Sequence, residues 1–309
     1  MSIAYIFPGQ GSQYVGMGKD FFDEYPKAKE IFNFADDVLG FHLSKICFDG
    51  PEEELKQTKN TQPAIFLHSL IIWMLLEEFK KINPNFVVAG HSLGEYSALV
   101  AANGMSFEDG IKLVRLRGEL MQNTGVEFPG TMAAIVGLDE SAVVNICKDS
   151  EKVGIVTPAN FNSPGQIVIS GSIEGVKNAM LLAKESGAKL VKELVVSGAF
   201  HSPLMNSAKS KLKTALEITK INSISNQLFA NVTASVVQDS ETIRNLLIEQ
   251  VTSPVRWEET IKTIEKTNVS SFIEIGPGKV LQGLVKRTSK LQCSGIDKIL
   301  DFKEFVDQK

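Results

Sequence analysis

Gly90-His91-Ser92-Leu93-Gly94 stands between an apolar run, Phe86 to Ala89, and a helical stretch beginning EYSALV. A serine in an ordinary loop needs no glycine two positions away on either side. A serine on a very tight strand-to-helix turn needs both, because side chains there would collide with neighbouring backbone. In that setting Ser92 is a candidate nucleophile, and the helix opening at Leu93 aims free N–H groups and a positive dipole end at charge developing on a carbonyl oxygen. The alternative is a glycine-rich turn capped by Ser92. A serine hydroxyl needs a base, and the sequence offers four histidines. His42 (LGFHLSK) and His68 (IFLHSLIIW) read as hydrogen-bonded packing residues, while strand alternation turns His91 away from Ser92. His201, in VSGAFHSPLM on a loop before a helix opened by Ser202-Pro203, remains by elimination. No acid between Ser92 and His201 stands out as a third triad member.

The helix SFEDGIKLVRLRGELMQ carries two arginines in different settings. Arg115 shares a charged face with Glu108, Lys112 and Glu119. Arg117 has Leu113, Val114, Leu120 and Met121 one turn away on either side and falls on the apolar face. A guanidinium there must either pair with a carboxylate of the protein or await an anionic ligand, since an isolated buried charge costs several kcal/mol. A second strand-to-glycine turn, IFPGQGSQYVGMG, lacks the dinucleotide-binding spacing, because Tyr14 occupies the third glycine position. Such a turn can lend a backbone N–H to an oxyanion hole, with Gln10 as the candidate.

These residues need a scaffold that gathers strand ends. Apolar runs at Ile3 to Phe7, Phe86 to Ala89 and Ser271 to Ile275 each lead through a glycine turn into an amphipathic stretch, which predicts an α/β fold with a parallel sheet. Between about Thr131 and Val196 the order changes to βαββαβ, the ferredoxin-like unit. The expectation is a large catalytic domain of the α/β-hydrolase kind, residues 1–128 and 198–309, with a small ferredoxin-like subdomain, residues 129–197, inserted between Gly125–Gly130 and Ser197-Gly198.

The chain has 309 residues, 43% of them hydrophobic and 22% charged, with 32 Lys+Arg against 36 Asp+Glu. A net charge of -4 without a long basic run argues against nucleic acid as a partner. Three widely spaced cysteines, Cys47, Cys147 and Cys293, form neither a disulfide framework nor a zinc motif, so no metal is expected and the location reads as cytoplasmic. No signal-peptide pattern opens the chain, and the apolar stretch Ala64 to Leu76 is too short to span a membrane; it reads as a buried helix.

FPGQGSQ, TQPA, GHSLGEYSAL, VRLRGELMQ, NSPGQ, GAFHSPLM, SPVRW and EIGPGKVL occur in this order from Ile3 to about Val285. Together they resemble the malonyl-CoA:acyl carrier protein transacylases, the acyltransferase family of fatty acid and polyketide synthesis. The resemblance implies that Ser92 carries a malonyl ester, that His201 is the base, and that the N–H groups of Gln10 and Leu93 form the oxyanion hole. It implies that the main-chain carbonyl of Gln250 orients the histidine in place of an acid, and that Arg117 grips the malonyl carboxylate. Gln62 and Asn162 match positions lining the pocket. Phe200 matches a position where a bulky ring accompanies malonyl over methylmalonyl units, a discrimination worth about 1 to 3 kcal/mol. The implied partners are malonyl-CoA and acyl carrier protein, with no cofactor and a monomeric state. A serine thioesterase or esterase is the rival activity, and a discrete polyketide or polyunsaturated lipid pathway the alternative setting. Lys279, Lys286, Arg287 and Lys290 form a candidate carrier-docking patch, or simply a solvated helix face. A base of ordinary histidine affinity predicts acyl-serine formation that fades through the mid-6 pH range.

Overall fold

A computed structural model describes residues 2–307. Its ten strands are β1 (Ser2–Phe7), β2 (Phe86–Gly90), β3 (Gly130–Val136), β4 (Val156–Ser163), β5 (Gln166–Ser172), β6 (Leu190–Glu193), β7 (Gln227–Phe229), β8 (Val236–Val237), β9 (Val269–Ile275) and β10 (Gln292–Ile296). They form two sheets, ordered β10-β9-β1-β2-β7-β8 and β4-β5-β3-β6. In the first sheet every neighbouring pair is parallel except the edge pair β7–β8. The second sheet is antiparallel throughout. The protein is therefore an α/β fold with a mostly parallel sheet and a separate antiparallel one.

Alternation along β1 shows how the parallel sheet is covered. Tyr5 and Phe7 pack into a core built on the helix Thr58–Glu78, with Tyr5 edge-on to Trp73 at 5.2 Å, while Ala4 and Ile6 join Trp257 and Ile261 on the opposite face. Strands buried on both sides must be apolar at every position, as IAYIF and FVVA are. The helix Thr58–Glu78 contains the apolar stretch from Ala64 to Leu76, buried almost all round. Pro63 lies inside it and cannot donate to the Lys59 carbonyl one turn earlier; Arg115 Nη1 donates to that oxygen at 3.1 Å and to Asn60 Oδ1 at 2.7 Å. Arg115 therefore does more than share a charged face, although it also pairs there with Glu119 at 2.6 Å.

The helix Phe107–Glu127 runs through Gly125, so that glycine ends no element. The antiparallel sheet is tied to the rest through β4: the N–H of Phe161 donates to the Val255 carbonyl and the N–H of Val255 to the Ala159 carbonyl, both at 2.9 Å. Among the described residues no helix is long and apolar enough to cross a membrane.

Candidate active site

Ser92 leaves the C-terminal end of β2, an interior strand of the parallel sheet, and the helix Gly94–Ala101 begins two residues later. The turn between them is as tight as the glycines imply. A Cβ on Gly90 would lie 1.9 Å from the Gly94 carbonyl group, and one on Gly94 would lie 2.2 Å from the Phe7 carbonyl oxygen. Ser92 itself has φ 53°, a left-handed conformation that side chains rarely adopt. Asn231, just beyond the neighbouring strand β7, fixes the turn from the side: its Oδ1 accepts from the Ser92 N–H at 2.7 Å and its Nδ2 donates to the Gly90 carbonyl at 2.7 Å.

His201 Nε2 lies 2.8 Å from Ser92 Oγ. Its Nδ1 lies 2.8 Å from the backbone carbonyl of Gln250, so Nδ1 carries the proton and Nε2 is left to accept. The imidazole is 4% exposed, and like Ser92 it sits on left-handed backbone, φ 58°. Burial, reinforced by the Arg117 charge and opposed by the Gln250 carbonyl, pushes its pKa down to about 3. A base depressed in this way stays neutral below the mid-6 range that an ordinary histidine implies.

Arg117 is 1% exposed and reaches the serine from the helix Phe107–Glu127. Its Nη2 donates to Ser92 Oγ at 3.0 Å and to Gln250 Oε1 at 2.9 Å, and its Nη1 donates to Gln62 Oε1 at 2.7 Å. None of these partners is charged, so of the two alternatives for a guanidinium on an apolar face, a direct ion pair is absent among the described residues. The carboxylate of Glu95 is linked to Arg117 by hydrogen bonds through Gln250, whose Nε2 donates to Glu95 Oε2 at 2.7 Å. Glu95 is 2% exposed, and burial pushes its pKa up to about 7.

These groups meet at a cavity of about 120 Å³ lined by Gln10, Gln62, His91, Ser92, Leu93, Arg117, Met121, Met132, Asn160, Leu194, Val196, Phe200 and His201. The walls are mostly apolar, with the polar groups converging on Ser92, as a small-ligand site requires. Among the described hydrogen bonds, none engages the backbone N–H of Gln10 or Leu93.

Two placements differ from expectation. Asn162 does not reach the cavity wall; it lies one strand repeat beyond Asn160, which does, and its Oδ1 holds His91 Nε2 at 2.9 Å. His91 does not point away from the site, because strand alternation ends at Gly90 and the sharp turn brings its ring onto the cavity wall, edge-on to Trp257. Glu95 and Asn231 escaped the sequence reading. For Glu95 a signal existed, an acid inside an otherwise apolar helix, the same reasoning that singled out Arg117.

His42 is exposed and hydrogen-bonded to Asp36 at 3.1 Å, and His68 is buried with Nε2 at 2.9 Å from the Asp297 carbonyl. Lys279, Lys286, Arg287 and Lys290 are exposed, with Arg287 also donating to Gln166 across to the antiparallel sheet. A larger groove of about 1020 Å³ runs beside β10, but no histidine lines it, and burial pushes the thiol of its Cys293 up to about 12. No cluster of three or more metal-ligating side chains occurs among the described residues.

The family model of the acyl transferase domain matches residues 4–299. A malonyl CoA-acyl carrier protein transacylase of Bacillus subtilis is 48% identical over 291 residues, covering 93% of this chain and 90% of that protein. The Haemophilus influenzae protein of the same name is 45% identical over 301 residues, covering 97% and 96%. Among solved structures, an acyl carrier protein S-malonyltransferase from Vibrio cholerae superposes with a TM-score of 0.94 at 41% identity, covering 98% of this chain and 99% of that one. A malonyl-transacylase in complex with a type II PKS acyl-carrier protein superposes with a TM-score of 0.95 at 40% identity over 100% of both chains. With the family match spanning nearly all of its length, the chain belongs to the acyl transferase domain family.

Proposed function

We propose that this protein transfers a malonyl group from malonyl-CoA to the phosphopantetheine thiol of acyl carrier protein through a malonyl ester on Ser92, supplying extender units for fatty acid or polyketide synthesis. One observation carries the reading: Ser92 Oγ lies 2.8 Å from His201 Nε2 and 3.0 Å from Arg117 Nη2 at the wall of a single cavity. A nucleophile, a neutral base and a cation for an anionic acyl group are what this reaction needs, and relatives of that name support the substrate pair.

In the first half-reaction Ser92 Oγ attacks the thioester carbon while its proton passes to His201 Nε2. The carbonyl oxygen takes negative charge and is met by the N–H groups of Gln10 and Leu93, the latter at the start of the helix Gly94–Ala101. The carbon–sulfur bond then breaks, and the proton on His201 goes to the CoA sulfur. Carrier thiol repeats the steps in reverse: it gives its proton to His201, attacks the ester, and Ser92 Oγ leaves reprotonated. Atoms and protons balance with these side chains alone, so the reading calls on no cofactor. Arg117 holds the free carboxylate, which takes over the Nη2 hydrogen now given to Ser92 Oγ. Phe200, with Gln62, bounds the space left for an α-substituent.

The scaffold is read as an α/β-hydrolase-like body, residues 1–128 and 198–309, carrying a ferredoxin-like insert, residues 129–197. What supports the insert is the element order from β3 to β6, with helices Glu140–Ser150 and Ile173–Glu185 packed on its sheet. A monomer in the cytoplasm is the corresponding setting, in keeping with three free cysteines.

Intact-mass measurement after mixing with malonyl-CoA tests the function. The expected result is a malonyl adduct that accumulates, disappears on adding carrier protein, and is absent from Ser92→Ala. Free malonate with no accumulating adduct would instead make the protein a hydrolase.

A further inference from the structure

Arg117 meets no carboxylate directly, yet its guanidinium is held in one place, and the support leads to Glu95. Between them lies the side-chain amide of Gln250, 0% exposed. Its Nε2 donates to Glu95 Oε2 at 2.7 Å and to the Ser92 carbonyl at 3.0 Å, so both amide hydrogens are used. Its Oε1 is then turned to Arg117 Nη2, at 2.9 Å. Reversing the amide would set an NH₂ group against the guanidinium and a carbonyl oxygen against the carboxylate, two like-with-like contacts in a dry interior. The same Glu95 oxygen accepts from the Asn231 N–H at 3.1 Å, which pins the carboxylate to the residue that fixes the Ser92 turn.

We propose that Glu95 is a positioning residue for acid-ended substrates: through Gln250 it fixes the direction of the Arg117 guanidinium, and it does so as a hydrogen-bond acceptor at a set reach and not through its charge. The inference rests on the reading of Arg117 as the carboxylate-binding group. Two conservative substitutions separate the possibilities. Glu95→Gln keeps an oxygen at the same reach, with two lone pairs for Gln250 and Asn231, and removes the charge. Glu95→Asp keeps the charge and withdraws the oxygen by roughly 1.5 Å, one carbon–carbon bond.

The experiment measures kcat/KM for acyl-enzyme formation with malonyl-CoA and with acetyl-CoA, whose acyl group has no carboxylate, in the parent and both variants. Glu95→Asp is expected to lose about tenfold in the malonyl-over-acetyl ratio, any loosening of the Ser92 turn through Asn231 slowing both donors alike, while Glu95→Gln stays within about twofold of the parent ratio. The opposite order would make charge the operative property and overturn the proposal. Equal losses on both donors, or no loss in either variant, would reduce Glu95 to a structural residue and overturn it too. A parent with no preference for malonyl removes the role of Arg117 and the Glu95 proposal together; a selective parent with indifferent variants removes the Glu95 proposal alone.

Discussion

The protein buries two histidines against backbone carbonyls, and only one has the surroundings of a base. His201 gives its Nδ1 to the Gln250 carbonyl, and His68 sets Nε2 against the Asp297 carbonyl at 2.9 Å. His68 even has what His201 lacks, a carboxylate nearby: Asp297 Oδ1 lies 3.4 Å away and also accepts from the Tyr14 hydroxyl. Of these two buried rings, a search for a histidine–acid pair would select His68. The second ring nitrogen separates the two sites. His68 Nδ1 has no partner and faces packed protein near Gly18, whereas His201 Nε2 faces Ser92 Oγ at an open cavity. A carbonyl suffices to orient an imidazole, and access to a nucleophile gives it a task.

The charges around the two rings sharpen this contrast. Arg117 stands near His201 on its Ser92 side, a positive charge in the site, while the Gln250 carbonyl occupies the place that an acid takes in a conventional triad. Arg117→Ala should show the largest effect of the substitutions that test the comparison, weakening malonyl transfer by about 3–5 kcal/mol, the scale for breaking a buried charge partnership, while acetyl transfer changes little. Paired kcat/KM values on the two donors check this, and an unchanged preference would remove Arg117 from recognition. The corresponding change at the other site is His68→Leu. It should lower stability by about 1–3 kcal/mol, because the Asp297 carbonyl and carboxylate lose their buried donor, while malonyl-serine formation stays within about twofold. Denaturant unfolding and intact-mass kinetics on the same variant measure both, and a slow variant of normal stability would erase the distinction between the histidines.

The smallest expected effect is on pH. A base whose pKa is pushed down to about 3 remains neutral as pH falls through 6.5, so acylation at pH 5 should stay within about threefold of its rate at pH 7. Initial rates across that range check it. A half-maximal point near 6.5 would mean that burial and the guanidinium do not depress His201.

Most of the framework was legible in the sequence because its signals are local. β1, β2 and β9 are apolar runs closed by glycine turns, and Arg117 is marked by apolar residues one helical turn away on either side. The short edge elements went unread: β8 has two residues, and β10 reads QCSGI, too polar to declare a strand. Pairing with β9 makes β10 a strand, and that partner is distant in sequence. The same reasoning explains Asn231, which meets Ser92 and Glu95 across more than a hundred residues and carries no pattern of its own. Gln250 was assigned through family resemblance, since nothing around it in the chain announces a carbonyl aimed at an imidazole.

Ser92 and His201 share one further property, the left-handed backbone that each occupies, at φ 53° and 58°. Such a conformation costs a non-glycine residue about 1–3 kcal/mol, and the surrounding contacts must hold it against relaxation. Glycine at either place would ease the chain and end the chemistry. The sequence that would make this fold most stable and the sequence that makes it work are therefore different, and they part company at the two residues that exchange a proton.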